Sequence, residues 1–122
     1  MKISIIIPTF KNSEYLKLCI SSIKKNSEYQ HQIIVHINGE DKKTENYLLN
    51  NGVEFTKSSN NLGLCSGVNI AANKSKTDYI MYSHDDMYYL PKWDKFLENE
   101  IIDLKNKYFY LSLTHLSNMK AV

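Results

Sequence analysis

Ile3-Ser4-Ile5-Ile6-Ile7-Pro8 is an apolar, β-branched run closed by a proline. It carries almost no polar positions to alternate with the apolar ones, so it reads as a central strand covered on both faces, the mark of a parallel sheet in an α/β domain. Working outward, Tyr15, Leu16, Cys19, Ile20 and Ile23 form a helical stripe over Ser13 to about Lys25, with Asn12 or Ser13 available as N-cap. Gln32 to Ile37 is a second apolar strand broken by Gly39, and Asp41 can cap a short helix through Tyr47 and Leu48 to Asn50. Gly52 turns the chain into a third strand at Val53 to Thr56. A helix with Leu64, Val68, Ala71 and Ala72 on one side follows, then a buried strand at Tyr79 to Tyr82. Trp93, Phe96, Leu97, Ile101 and Leu104 mark a last helix, and Tyr108 to Leu113 alternates as a last strand should. Strand and helix in repeated alternation predict a doubly wound, mainly parallel sheet with helices on both faces.

Composition bounds what such a domain can do. The 122 residues suffice for one core, and residues 1–122 are read as a single domain. Fifteen Lys and Arg against 13 Asp and Glu leave a net charge of +2, with the basic residues scattered, which argues against nucleic acid as a partner. Ile5-Ile6-Ile7 is too short to cross a bilayer and no cleavable leader pattern precedes it, so the expectation is a cytoplasmic chain, at most peripheral to a membrane. Cys19 and Cys65 lack metal or redox spacing, and each falls on an apolar helical face, as buried free thiols do.

Chemistry concentrates after the fourth strand, where Ser83-His84-Asp85-Asp86 leads to Leu90-Pro91. Taken alone, the acidic pair reads as a solvated turn that caps the next helix. In a doubly wound sheet, however, ligands bind beyond the carboxyl ends of the strands. Four polar loops open there together: Thr9 to Asn12, Asn38 to Asp41, Ser58 to Gly63 and His84 to Met87. Adjacent carboxylates in such a crevice suit Mg²⁺ or Mn²⁺ bound with substrate phosphates. Tyr88 or Tyr89 could stack on a sugar or base; alternatively one packs beneath the loop and the other lies on the surface. Trp93 reads as core, and Asp94 and Glu98 as the solvated face of their helix.

Four stretches in order resemble the amino-terminal half of a family 2 glycosyltransferase of the GT-A fold. They are Ser4 to Phe10 followed by Tyr15-Leu16, Gln32 to Val35 followed by Asn38-Gly39, Asn61-Leu62-Gly63 with Asn69 and Ala71, and Asp78-Tyr79-Ile80 through Asp85-Asp86 to Pro91. The resemblance covers residues 3–113 and implies a nucleotide-diphosphate sugar as donor, a divalent cation, Mn²⁺ or Mg²⁺, and transfer with inversion. It implies Asp86 as the metal ligand and Asp85 facing the ribose or base. It also places Pro8, Thr9, Asn38, Asn61, Gly63 and Asn69 at the nucleotide.

Departures from the family pattern carry their own expectations. His84 stands where many members have an acid, and as a ligand it would favour Mn²⁺. Ile37-Asn38 replaces a common acidic pair, although the Asn38 carbonyl could still accept from a base N–H. No residue can be assigned as the general base that inverting transfer needs. The chain is expected to stop before the half that binds a saccharide or lipid-linked saccharide acceptor. The alternative is a non-catalytic nucleotide-binding fragment that needs a partner chain for that half; the partners expected are such a chain or, as a homo-oligomer, further copies of this one. A receiver-type domain would place its acids after the first strand, where this chain has Pro8-Thr9-Phe10.

Overall fold

A computed structural model describes residues 1–113 of the chain. Four parallel strands form one sheet: β1 (Ser4–Thr9), β2 (Gln32–Asn38), β3 (Glu54–Ser58) and β4 (Ile80–Tyr82), in the order β3-β2-β1-β4. Four helices connect and cover them: α1 (Ser13–Asn26), α2 (Lys42–Asn50), α3 (Leu64–Ala72) and α4 (Trp93–Ile102). This is the doubly wound α/β architecture that the alternation of strands and helices predicts.

β1 lies between β2 and β4, in register Ile5 to Ile33 on one side and Ile5 to Met81 on the other. Its side chains therefore divide between two layers. Ile3, Ile5 and Ile7 join Val35, Ile37, Leu16, Cys19, Ile20, Ile23 and Leu48 in the larger core, beneath α1 and α2. Ile6 and Ile34 face α3, where Ala71 completes a small second core with Val68 and Ala72 against it. Ile5, Ile6 and Ile7 are all fully buried. Replacing any of them by Ala removes apolar burial and leaves a void, at a cost of about 2–5 kcal/mol.

Two elements differ from expectation. β4 is three residues long and sits at the sheet edge, so Ile80 and Tyr82 remain 54% and 40% exposed rather than buried. Residues 108–113 form no strand and are exposed throughout. Alternation stabilises a strand only when a neighbour accepts its hydrogen bonds, and here the segment contributes a stack of Phe109 on Tyr79, 5.8 Å between ring centres. Among the described residues no helix is long and apolar enough to cross a membrane.

Candidate functional site at the switch point of the sheet

The strand order makes the winding reverse between β1 and β4, and a ligand crevice is expected at their carboxyl ends. Thr9, the last residue of β1, is buried there and donates its hydroxyl to Asp85 Oδ2 at 2.8 Å. Immediately afterwards Lys11 adopts φ 46°, and this left-handed residue turns the chain so that α1 can begin at Ser13. The acidic turn is thus joined to the first strand by a side-chain hydrogen bond at the crevice itself.

Buried polar groups hold that turn from below. Ser83 N–H donates to the Ile6 carbonyl at 2.9 Å, extending the β1–β4 contact past the end of the strand. The Tyr89 hydroxyl donates to Ser83 Oγ at 2.7 Å, and Ser83 Oγ donates to the His84 carbonyl at 2.9 Å. From α1, the Cys19 thiol points at the same carbonyl at 3.7 Å, and Ser22 Oγ accepts from the Tyr89 N–H at 2.9 Å. Burial pushes the Cys19 thiol pKa up to about 11 and raises that of the Tyr89 phenol, so both groups stay neutral and serve as hydrogen-bond donors. The sequence singled out Tyr89 beside the acidic pair and Ser83 before it but not the bond between them, and it gave no signal for Ser22, which belongs to the polar side of α1 by pattern.

Above this support Asp85 is half-buried, whereas Asp86 and His84 are exposed. The Tyr82 hydroxyl lies 3.2 Å from His84 Nδ1, with the rings edge to face. Burial, and then the charges of Asp85 and Asp86, raise the Tyr82 phenol pKa. Among the described residues no three His, Cys, Asp or Glu side chains converge as a metal cage.

The remaining candidates lie at the carboxyl ends of β1 and β2 and in the loop before α3. Pro8 and Asn38 are buried within β1 and β2. Asn38 Nδ2 donates to the Gly63 carbonyl at 3.2 Å, and its Oδ1 accepts from the Leu62 N–H at 3.2 Å. Asn61 Oδ1 accepts from the Gly63 N–H at 2.9 Å, closing the loop on itself. Gly63 sits at φ 85° and ψ 174°, a conformation essentially reserved for glycine, and leads into α3 without a side-chain cap. Asn69 is exposed on α3, two residues beyond the sheet-facing Gly67.

Three other expectations are settled by burial. Tyr89 packs beneath the acidic loop and Tyr88 lies on the surface, 8% and 58% exposed. Cys65, expected in a core, is exposed, because α3 seats through Gly67 and Ala71 while its first turn projects beyond the sheet. Asp94 is buried rather than solvated and accepts from Glu28 N–H, Tyr29 N–H and His31 Nε2 at 3.0, 2.9 and 2.8 Å. Glu98 likewise is not free, meeting Tyr29 Oη at 2.9 Å and Lys95 Nζ at 3.0 Å. Both acids approach the start of β2, at the opposite end of the sheet from Asp85.

A parallel sheet wound in this order, with an acidic turn bonded to the end of its first strand, has polar groups at the switch point where doubly wound α/β domains bind their ligands. Residues 4–116 match the glycosyl transferase family 2 model, and the chain belongs to that family. The fold matches S. aureus TarS over 84% of this chain, at 17% identity and TM-score 0.72 for the TarS fragment 1–349 and at 18% and 0.71 for TarS. The same fragment solved in complex with UDP-GlcNAc matches at 19% identity and TM-score 0.71, and it has also been solved with UDP. The chain spans about a third of the fragment and 20% of TarS. No curated protein matches it.

Proposed function

We propose that this chain is the donor-binding part of an inverting glycosyltransferase, which holds a nucleotide-diphosphate sugar with Mn²⁺ or Mg²⁺ and passes the sugar to an acceptor hydroxyl. The observation that carries the reading is the Thr9–Asp85 hydrogen bond at the switch point. It fixes one carboxylate against β1 and leaves its neighbour Asp86 exposed. That donor set fits a hard cation completed by water and phosphate oxygens, since Mg²⁺ commonly takes only one or two protein carboxylates. Asp86 is the proposed ligand. His84, whose Nδ1 faces the Tyr82 hydroxyl, could join only through its other ring nitrogen. The ion, when bound, would neutralise charge on the departing nucleoside diphosphate.

Pro8, Thr9, Asn61, Gly63 and Asp85 would border the nucleotide, with Asp85 oriented by Thr9 toward the ribose or base. TarS structures hold UDP and UDP-GlcNAc, which makes uridine nucleotides the first donors to test. Asp94 and Glu98 do not serve as general base, being engaged at the far end of the sheet. The exposed Ile80 and Tyr82 on the β4 edge favour a second reading, in which nucleotide binds but transfer requires another chain to cover that edge.

Calorimetric titration with UDP, with and without Mn²⁺, tests the assignment. Wild type is expected to bind only with Mn²⁺, Asp86→Ala to lose that binding, and Asp103→Ala, exposed at the end of α4, to keep it. Equal affinity in wild type and the Asp86 variant would sink it.

A further inference from the structure

We propose that Asn38 and His36 form a clamp that sets the backbone of the 60–63 loop. In this role Asn38 is a positioning residue for the nucleotide and not a reader of its base. The nucleotide part rests on the donor-binding function proposed above; the clamp itself rests on geometry alone.

His36 and Asn38 are two residues apart on β2 and point to the same side of the sheet, toward α3. They are 0% and 4% exposed. Asn38 takes both ends of its amide into the loop, at Leu62 N–H and the Gly63 carbonyl. His36 works through a relay. Ser58 Oγ spends its proton on the Asn60 carbonyl at 2.7 Å, so at 3.2 Å from His36 Nε2 it is the acceptor. Nδ1 is then unprotonated and accepts from Thr56 Oγ1 at 2.7 Å. Burial lowers the His36 pKa, in keeping with this neutral tautomer. Three backbone groups of one short loop are therefore held from β2 and β3.

Two further contacts show that the clamp is built in. A Cβ at Gly67 would lie 2.9 Å from His36 Cδ2 and 3.0 Å from Asn38 Nδ2, so α3 rests on this pair only because residue 67 has no side chain. A Cβ at Gly39 would lie 3.8 Å from Asn61 N and 3.7 Å from the Phe10 ring, which brings the clamped loop beside the turn that follows β1. That turn leads on from Thr9, which holds Asp85, so the position of the loop bears on the same end of the sheet.

Asparagine suits this task where a carboxylate would not. Aspartate at 38 has no proton for the Gly63 carbonyl and would be a buried charge. A base-reading side chain needs only an acceptor, which aspartate retains. Asn38→Asp therefore separates the two roles with almost no change of volume.

If the clamp operates, Asn38→Asp weakens UDP binding about tenfold, the effect of losing one hydrogen bond. UDP affinity equal to or better than wild type overturns it. Independently of nucleotide, Asn38→Leu is expected to quicken native-state hydrogen exchange at the Leu62 amide about tenfold, by removing its acceptor. Ser58→Ala, at a partly exposed position, removes the His36 leg without threatening the core and should quicken exchange at residues 60–63. Unchanged exchange in these variants overturns the clamp. If wild type binds no UDP, the donor function fails and the exchange measurements alone decide the clamp.

Discussion

Thr9 and Asp85 stand 76 positions apart in the chain, yet one 2.8 Å bond joins them at the point where the sheet reverses its winding. Thr9 is 3% exposed, so its hydroxyl has little access to water, and Asp85 gives it an acceptor. The reverse dependence matters for function: without the hydroxyl the half-buried carboxylate can turn away from the crevice. Thr9→Val keeps shape and strand propensity while deleting that donor. Its affinity for UDP with Mn²⁺ is expected to fall about tenfold, as for one charge-assisted hydrogen bond of roughly 1.5 kcal/mol. Titration beside a far-UV spectrum checks this, and undiminished affinity in a folded Thr9→Val protein would show that the bond does not orient Asp85. At this scale the sequence disclosed residue types but not their commitments. Asp85 and Asn38 were both legible as strand-end polar groups. That Asp85 meets Thr9, while Asn38 is used up inside the 60–63 loop, depends on contacts between segments far apart in the chain.

The docking of α4 shows the same limit at the level of elements. Asp94 and Glu98 sit four residues apart near the start of a helix, the usual pattern of a solvated face. The structure turns that face inward against the 28–31 segment before β2. Trp93 Nε1 donates to Ser27 Oγ at 2.9 Å, Lys92 N–H donates to the Asn26 carbonyl at 2.8 Å, and the Trp93 ring packs on His31 and Tyr89. Asp94 is the centre of the joint. Burial opposes its ionisation, but the Glu28 and Tyr29 N–H groups and His31 outweigh burial and hold its pKa below the usual carboxylate range. Ile3 N–H donates to His31 Nδ1 at 3.2 Å, which leaves the proton on Nε2 and makes the Asp94 contact a hydrogen bond from a neutral ring. Asp94→Ala would strand three donors at once. Urea unfolding should show a loss of about 3 kcal/mol, within the range expected for buried donors left unpaired. A loss under about 0.5 kcal/mol, the size of an ordinary surface substitution, would contradict this role.

For the whole molecule, the buried histidines tie stability to pH. Burial lowers the pKa of His31, against the opposing pull of Asp94, and lowers that of His36. Each folded-state value lies below the unfolded value of about 6.5, so the unfolded chain binds more protons in acid. Stability from these two groups is complete above about pH 6.5 and declines as pH falls below it toward the folded values. The depressed pKa of Asp94 adds a second loss that begins near the ordinary carboxylate value and deepens as pH falls toward the folded one. The urea midpoint is expected to drop between pH 7 and pH 5, and a flat midpoint across that window would mean the rings are not held neutral by the fold.

The sequence by itself determined the alternation of strands and helices, the identity of β1 as a doubly covered strand, and the loops that gather at one end of the sheet. Those properties follow from periodicity, turn residues and parallel winding, all of which are local or nearly so. Only the tertiary structure decided that β4 is an exposed edge, that residues 108–113 form no strand, that Cys65 is outside and Asp94 inside, and that Thr9 holds Asp85. Each of these depends on which distant segment lies alongside. A polar or apolar side chain has the same local pattern whether or not that neighbour is present, so burial and hydrogen-bond partnership were decided only when the segments packed.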